Sequence, residues 1–116
     1  MGRAERIRLT AQIETQRRSR PISYRTHKIE GEGITFVLCR DMVCDLRIEG
    51  SLWVISYEPL GIHAYADSRE GAIAELGQEF AMLWDEYASA DDASLSQDAA
   101  AIKTHLQQLV REVLEE

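Results

Sequence analysis

The residue types able to do chemistry are few in this chain, and their spacing brings none of them into a recognised constellation. Cys39 and Cys44 have four residues between them, and His27, His63 and His105 lie far apart, so neither CxxC nor HxxxH occurs. A zinc site needs such closely spaced ligand pairs. Two small buried or half-buried thiols are therefore expected, and no metal or other cofactor. Nucleophilic catalysis has no Gly-x-Ser-x-Gly elbow and no Cys-His signature to rest on. Gly31-x-Gly33 lacks the following glycine and lysine of a phosphate-binding loop and reads as a turn. Asp41 and Asp45 form one of many carboxylate pairs in an acidic chain, and nothing singles them out as an acid–base couple. His63 stands among Ile62, Ala64 and Tyr65, where a lone histidine is more often structural or on the surface than catalytic. No catalytic residue is assigned, and a non-enzymatic protein is expected.

The remaining chemistry is electrostatic. The net charge is −7 over 116 residues, but residues 1–28 hold eight Lys/Arg against Glu5 and Glu14, while the rest holds five against eighteen Asp/Glu. Arg17, Arg18, Arg20 and Arg25, with Tyr24, His27 and Lys28 close by, could neutralise phosphates and stack a base. No helix-turn-helix, zinc-finger or RNP signature accompanies them. The alternative is that this basic segment packs on the acidic remainder, within the chain or in an oligomer, and it is the weightier of the two.

The elements that must position these groups follow from periodicity. With 45% hydrophobic residues the chain can bury a core of its own. No apolar run approaches the ~20 residues of a membrane span, and the N-terminus lacks the apolar stretch of a secretory signal, so a cytoplasmic protein is expected. Residues 6–14 alternate, with Ile7, Leu9, Ala11 and Ile13 on one side and Arg8, Thr10, Gln12 and Glu14 on the other, which predicts a strand. A loop is expected over residues 15–21, ending at Pro21. Further strands are predicted at 22–28, 34–39, 43–48, 52–57 and 62–65, with turns at 30–33, Arg40-Asp41-Met42, Gly50-Ser51 and 58–61. Such short links favour an antiparallel meander, because parallel strands need long crossovers.

Asp67 is then placed to cap a helix, with Glu70 three residues on as in a capping box. Ile73, Leu76, Phe80, Leu83 and Tyr87 recur at helical spacing, widened by Trp84, and predict a helix over 68–88 lying across the sheet. After the polar linker 89–94, Leu95, Ala99, Ile102, Leu106, Leu109 and Val113 recur every three or four residues and predict a second helix over 94–114. That helix packs on its own chain or pairs with its twin. In the second case Leu95, Ile102, Leu106, Leu109 and Val113 would form a homodimer interface.

Residues 44–84 resemble the core of the HicB-like antitoxins. In that family a hairpin leads through a Pro-Gly-Cys element into a third strand, and a Gly-Asp-Thr-x-x-Glu-Ala cap starts the helix. Gly61 stands at the glycine of the first element, with Leu60 and Ile62 in the proline and cysteine places. Ala66-Asp67-Ser68-Arg69-Glu70-Gly71-Ala72 fills the cap, matching at Asp67, Ser68 and Ala72 and departing at Ala66 and Gly71. The family usually continues into a further strand and often a DNA-binding module, where this chain has the 94–114 helix. The resemblance implies a non-enzymatic protein that docks on a small RNA-cleaving toxin, commonly within an oligomer. An acidic body would suit a basic partner of that kind.

A single α+β domain is thus expected. It comprises N-terminal strands with a basic arm over 1–43, a β-β-β-α core over 44–88 and a C-terminal helix over 94–114. The antiparallel meander of four or five strands packs against the first helix. The expected partners are a second copy of the chain and a small basic toxin. Nucleic acid is the alternative, followed by a small enzyme or regulator of unassigned chemistry.

Overall fold

The computed structural model describes residues 21–116; the strand expected over 6–14 and the arginines Arg17, Arg18 and Arg20 lie outside them. From Ile22 the chain alternates apolar and polar residues and folds into hairpins. Strand β1 (Ile22–Gly31) turns at Glu32-Gly33 into β2 (Ile34–Glu49), which turns at Gly50-Ser51 into β3 (Leu52–Tyr57). Gly33 and Gly50 have φ of 72° and 64°, the left-handed region that a side chain disfavours, so two residues suffice at each reversal. A short 3₁₀ turn over Glu58–Leu60 leads to β4 (Ile62–Ala66). The antiparallel order is β1-β2-β3-β4. The fold is α+β, as the short links imply.

Two local expectations are corrected. The turn expected at Arg40-Asp41-Met42 is instead a bulge inside one sixteen-residue strand. Thr26 faces Met42 and Lys28 faces Val37, which leaves Leu38 to Asp41 without a register partner on β1. Cys39, Arg40 and Asp41 are exposed there. The polar triplet resembled a turn because it interrupts an apolar alternation, but a bulge interrupts it equally and keeps the strand running. At the same place the other edge of β2 changes neighbour. Asp45–Glu49 pair with β3, whereas Ile34–Leu38 pair with β5 (Val110–Glu115).

That fifth strand is the second correction. The helix expected over 94–114 runs over Gln97–Leu109 and ends where β5 begins. Leu38 faces Val110 and Phe36 faces Val113, with a register shift between Leu38 and Val37. A regular strand would send residues three apart to opposite faces. The irregularity lets Val110 and Val113 both pack on the core. The spacing of three that looked helical is satisfied by a bulged strand, and β-branched valine favours the extended form.

Helix α1 (Arg69–Tyr87) starts at Ser68, not Asp67. Ser68 is extended, and its Oγ accepts a hydrogen bond from the Gly71 N–H at 3.0 Å. A Cβ on Gly71 would lie 2.9 Å from both Ala66 Cβ and Ser68 Oγ, so the helix begins hard against the end of β4. It then crosses one face of the sheet from β4 to β1. Ala72, Leu76 and Phe80 are buried beneath it, and Phe80 meets Phe36 of β2 with ring centroids 4.9 Å apart. Helix α2 (Gln97–Leu109) packs beside it, held to the linker by Lys103 Nζ on Ala90 O and Asp92 Oδ1 and by Gln107 Nε2 on Ala88 O. The opposite face of the sheet carries no helix among the described residues, and Val43, Leu52 and Tyr65 are exposed on it.

Candidate functional site

Helix α1 offers the most distinctive surface. Its buried side uses Ala72, Leu76 and Phe80, which turns Glu75, Glu79, Met82 and Glu86 outward at spacings of four, three and four. Residues so spaced share one helix face. Across its length α1 carries Glu70, Glu75, Glu79, Asp85 and Glu86 against Arg69 alone. Met82, 67% exposed, is an apolar spot within that acidic field. Like charges at this spacing repel each other within the helix, so the stripe contributes no folding energy. It is suited to attract a cationic surface and to seat an apolar group at its centre.

Beside this face, α1 and β1 form a groove of about 570 Å³ whose lining includes Tyr24, Thr26, Ile29, Ile73 and Leu76 together with Lys28, Glu30 and Glu70. Helix and strand meet in a close approach. A Cβ on Gly77 would lie 1.9 Å from the Glu30 carbonyl oxygen, so only glycine lets the helix rest on the β1 backbone. The Arg69 guanidinium sits 5.6 Å from the centroid of the ring of Tyr24, one of the lining residues. These residues come from two segments some forty positions apart, and sequence reasoning missed the groove. The one available signal was Gly77 in the middle of an amphipathic helix, because a glycine there marks a close approach.

A second polar cluster joins β3 to α2. Tyr57 Oη lies 2.7 Å from His105 Nε2, with the rings 5.6 Å apart. Burial, and secondarily the Arg40 charge, push the His105 pKa below its ordinary value. Burial raises that of Tyr57, opposed by Arg40 and assisted by Cys44. While the ring is neutral, Nε2 can accept the Tyr57 O–H. A histidine whose folded pKa is lowered gives stability that is present above its unfolded value, near 6.5, and lost as pH falls through the folded one. The expected result is a drop in urea-unfolding free energy on going from pH 7.5 to pH 5 that is smaller in His105→Gln, the difference between the two isolating this residue from the carboxylates.

The other chemical candidates stay inert or apart. Burial and then Asp45 push the Cys44 thiol up to about 12, so it does not supply a thiolate near neutrality; Cys39 is exposed, and both cysteines are free. Asp45, Ser56 and His63 fall in one row across the sheet, with Ser56 Oγ 3.1 Å from His63 Nδ1. In that row the serine stands between the other two. A catalytic triad needs the histidine in the middle, where the acid can orient it and it can take the hydroxyl proton. Among the described residues no group of three or more His, Cys, Asp or Glu could hold a metal ion.

The residues singled out from sequence are dispersed. Arg25 is exposed on β1 and pairs in register with Val43 on the open face, whereas Tyr24 points to the helix side under Arg69. The arginine and the tyrosine expected to act together on a nucleotide therefore face opposite ways. Of the interface stripe, Leu106 and Leu109 are fully buried in the core of their own chain. Val113 lies on β5, Ile102 packs at the core margin, and Leu95 is half-buried in the linker. No helix of the described residues is long and apolar enough to cross a membrane. Compared with family models, with curated proteins and with solved structures, the chain finds no match in any of the three.

Proposed function

We propose that this protein is a non-enzymatic binding module of the HicB-like antitoxin type, which neutralises a small basic, RNA-cleaving protein by docking it on the outer face of α1. The observation that carries this reading is the stripe Glu75–Glu79–Met82–Glu86, an unbalanced acidic face around an exposed apolar residue. Complementary charge steers encounter and register, and a central methionine adapts to the shape of what it covers. The β-β-β-α order over residues 44–84 agrees with the resemblance, and the chain returns to the sheet as β5 after α2. Homodimerisation belongs to the same reading and would use Leu95 and Ile102, because the neighbouring leucines are occupied within the chain.

The test is inhibition of RNA cleavage. Where a short basic reading frame lies beside this gene, its purified product is the probe, assayed on a single-stranded RNA. Stoichiometric addition of this chain should abolish cleavage, and the triple variant Glu75→Lys/Glu79→Lys/Glu86→Lys should not. Undiminished cleavage with the unsubstituted chain, or no basic neighbour at all, would overturn the reading.

A further inference from the structure

We propose that β4 is an interface strand. Two copies of this chain pair along the outer edges of their β4 strands, antiparallel about a two-fold axis at Ala64, and join their sheets into one. This contact is separate from the acidic stripe of α1 and from Leu95 and Ile102.

Among the described residues β4 pairs with β3 alone, and no further backbone hydrogen bond reaches residues 62–66. Such an edge is a template for another strand unless charge, proline or a bulge spoils it. The two other edge strands carry these devices. β1 changes register between Thr26 and Lys28 and exposes Arg25, Lys28 and Glu30. β5 pairs with β2 through a register shift and exposes Arg111, Glu112 and Glu115. β4 has neither device: Ile62-His63-Ala64-Tyr65-Ala66 runs in unbroken register with β3 and holds no Lys, Arg, Asp or Glu. It also leaves Tyr65 63% exposed.

The occupant is a second copy because this edge is complementary to itself. Two strands of five residues overlap completely in a single antiparallel register. It sets Ala64 opposite Ala64, His63 opposite Tyr65 and Ile62 opposite Ala66 across the axis. Residues directly opposite in an antiparallel pair share a face, and aromatic cross-strand pairs are among the favourable ones. His63 and Tyr65 are both exposed on the open face, so the symmetry makes the imidazole–phenol pair twice. Charge points the same way. The chain carries −7 overall and α1 turns Glu75, Glu79 and Glu86 outward, so most approaches of one copy to another are repulsive. The β4 edge presents no carboxylate, and Asp67 just beyond it falls opposite Gly61 rather than its own twin. The contact is small. Five residues of edge fall short of the ~800 Å² per partner of a standard interface, which puts association in the micromolar range.

Sedimentation equilibrium of the full chain over a concentration series, with hydrogen exchange read by mass spectrometry on the same samples, tests the proposal. No basic partner enters the assay, so its outcome is independent of the reading given for α1. Dimer should accumulate with concentration, and amides of residues 62–66 should gain protection as it does. His63→Lys/Tyr65→Lys sets lysine opposite lysine twice and should weaken association at least ~10-fold, with the unfolding transition unchanged because both side chains are exposed. Mixing that variant with His63→Glu/Tyr65→Glu should restore a dimer containing one chain of each. Leu95→Lys should leave the protection of β4 unchanged. A monomer at every concentration up to millimolar, a dimer without added protection at residues 62–66, or two charge variants that do not pair would overturn it.

Discussion

Replacing Gly77 with alanine is expected to destabilise the protein by about 3 kcal/mol or more. In an ordinary helix interior this substitution has the opposite sign, because alanine is favoured over glycine by ~1 kcal/mol. Here the added Cβ would lie 1.9 Å from the Glu30 carbonyl oxygen and 2.8 Å from its carbonyl carbon. Neither is the mobile end of a side chain, so helix and strand must part. Separation would also loosen Gly31, where a Cβ would already stand 3.0 Å from Ala81 Cβ. Urea unfolding gives the sign directly, with Ala74→Gly on the exposed side of the same helix as the reference for pure propensity. A stabilised Gly77→Ala variant would mean that α1 does not rest on β1.

Phe80→Ala should cost a similar amount, about 3–5 kcal/mol, by a different mechanism. Phe80 is fully buried and packs on Phe36, which also meets Trp84 at 5.5 Å. Phe36 lies where β2 is flanked by both β1 and β5, so the ring joins the helix to the middle of the sheet. Truncation removes apolar contact area and leaves a cavity that only partial relaxation can fill. The loss should appear in thermal unfolding and in the near-ultraviolet signal of Trp84. Met82→Ala, two positions along but exposed, should stay within about 0.5 kcal/mol and so separates burial from helix propensity.

The hairpins and α1 were legible in the sequence because each carried two agreeing signals. Gly33 and Gly50 coincide with changes in alternation, and Ser68 precedes an apolar stripe of clear helical period. The cap itself was misplaced by one residue, since Asp67 and Ser68 are both good acceptors and only the backbone angles decide between them. Strand β5 was hidden for a better reason. Val110 and Val113 satisfy the helical period through a bulge, and the pull toward extended structure comes from Ile34–Leu38, more than seventy residues earlier. The bulge at Leu38–Asp41 was equally invisible, because it exists where one strand changes neighbours. The acidic stripe of α1 could have been read from the helix period, as the complement of the buried face. The groove could not, because Tyr24 and Ile73 meet only through the crossing at Gly77.

The outer face of α1 is proposed above as the binding surface for a basic protein. Calorimetric titration of the chain with the product of any short basic reading frame beside its gene, at ~50 mM and ~300 mM salt, tests it most directly. Saturable one-to-one binding that weakens with salt is expected. Binding at least ~10-fold weaker is expected in Glu75→Lys/Glu79→Lys/Glu86→Lys, with the unfolding transition of that variant unchanged. Binding that is insensitive to both salt and the triple substitution would contradict it.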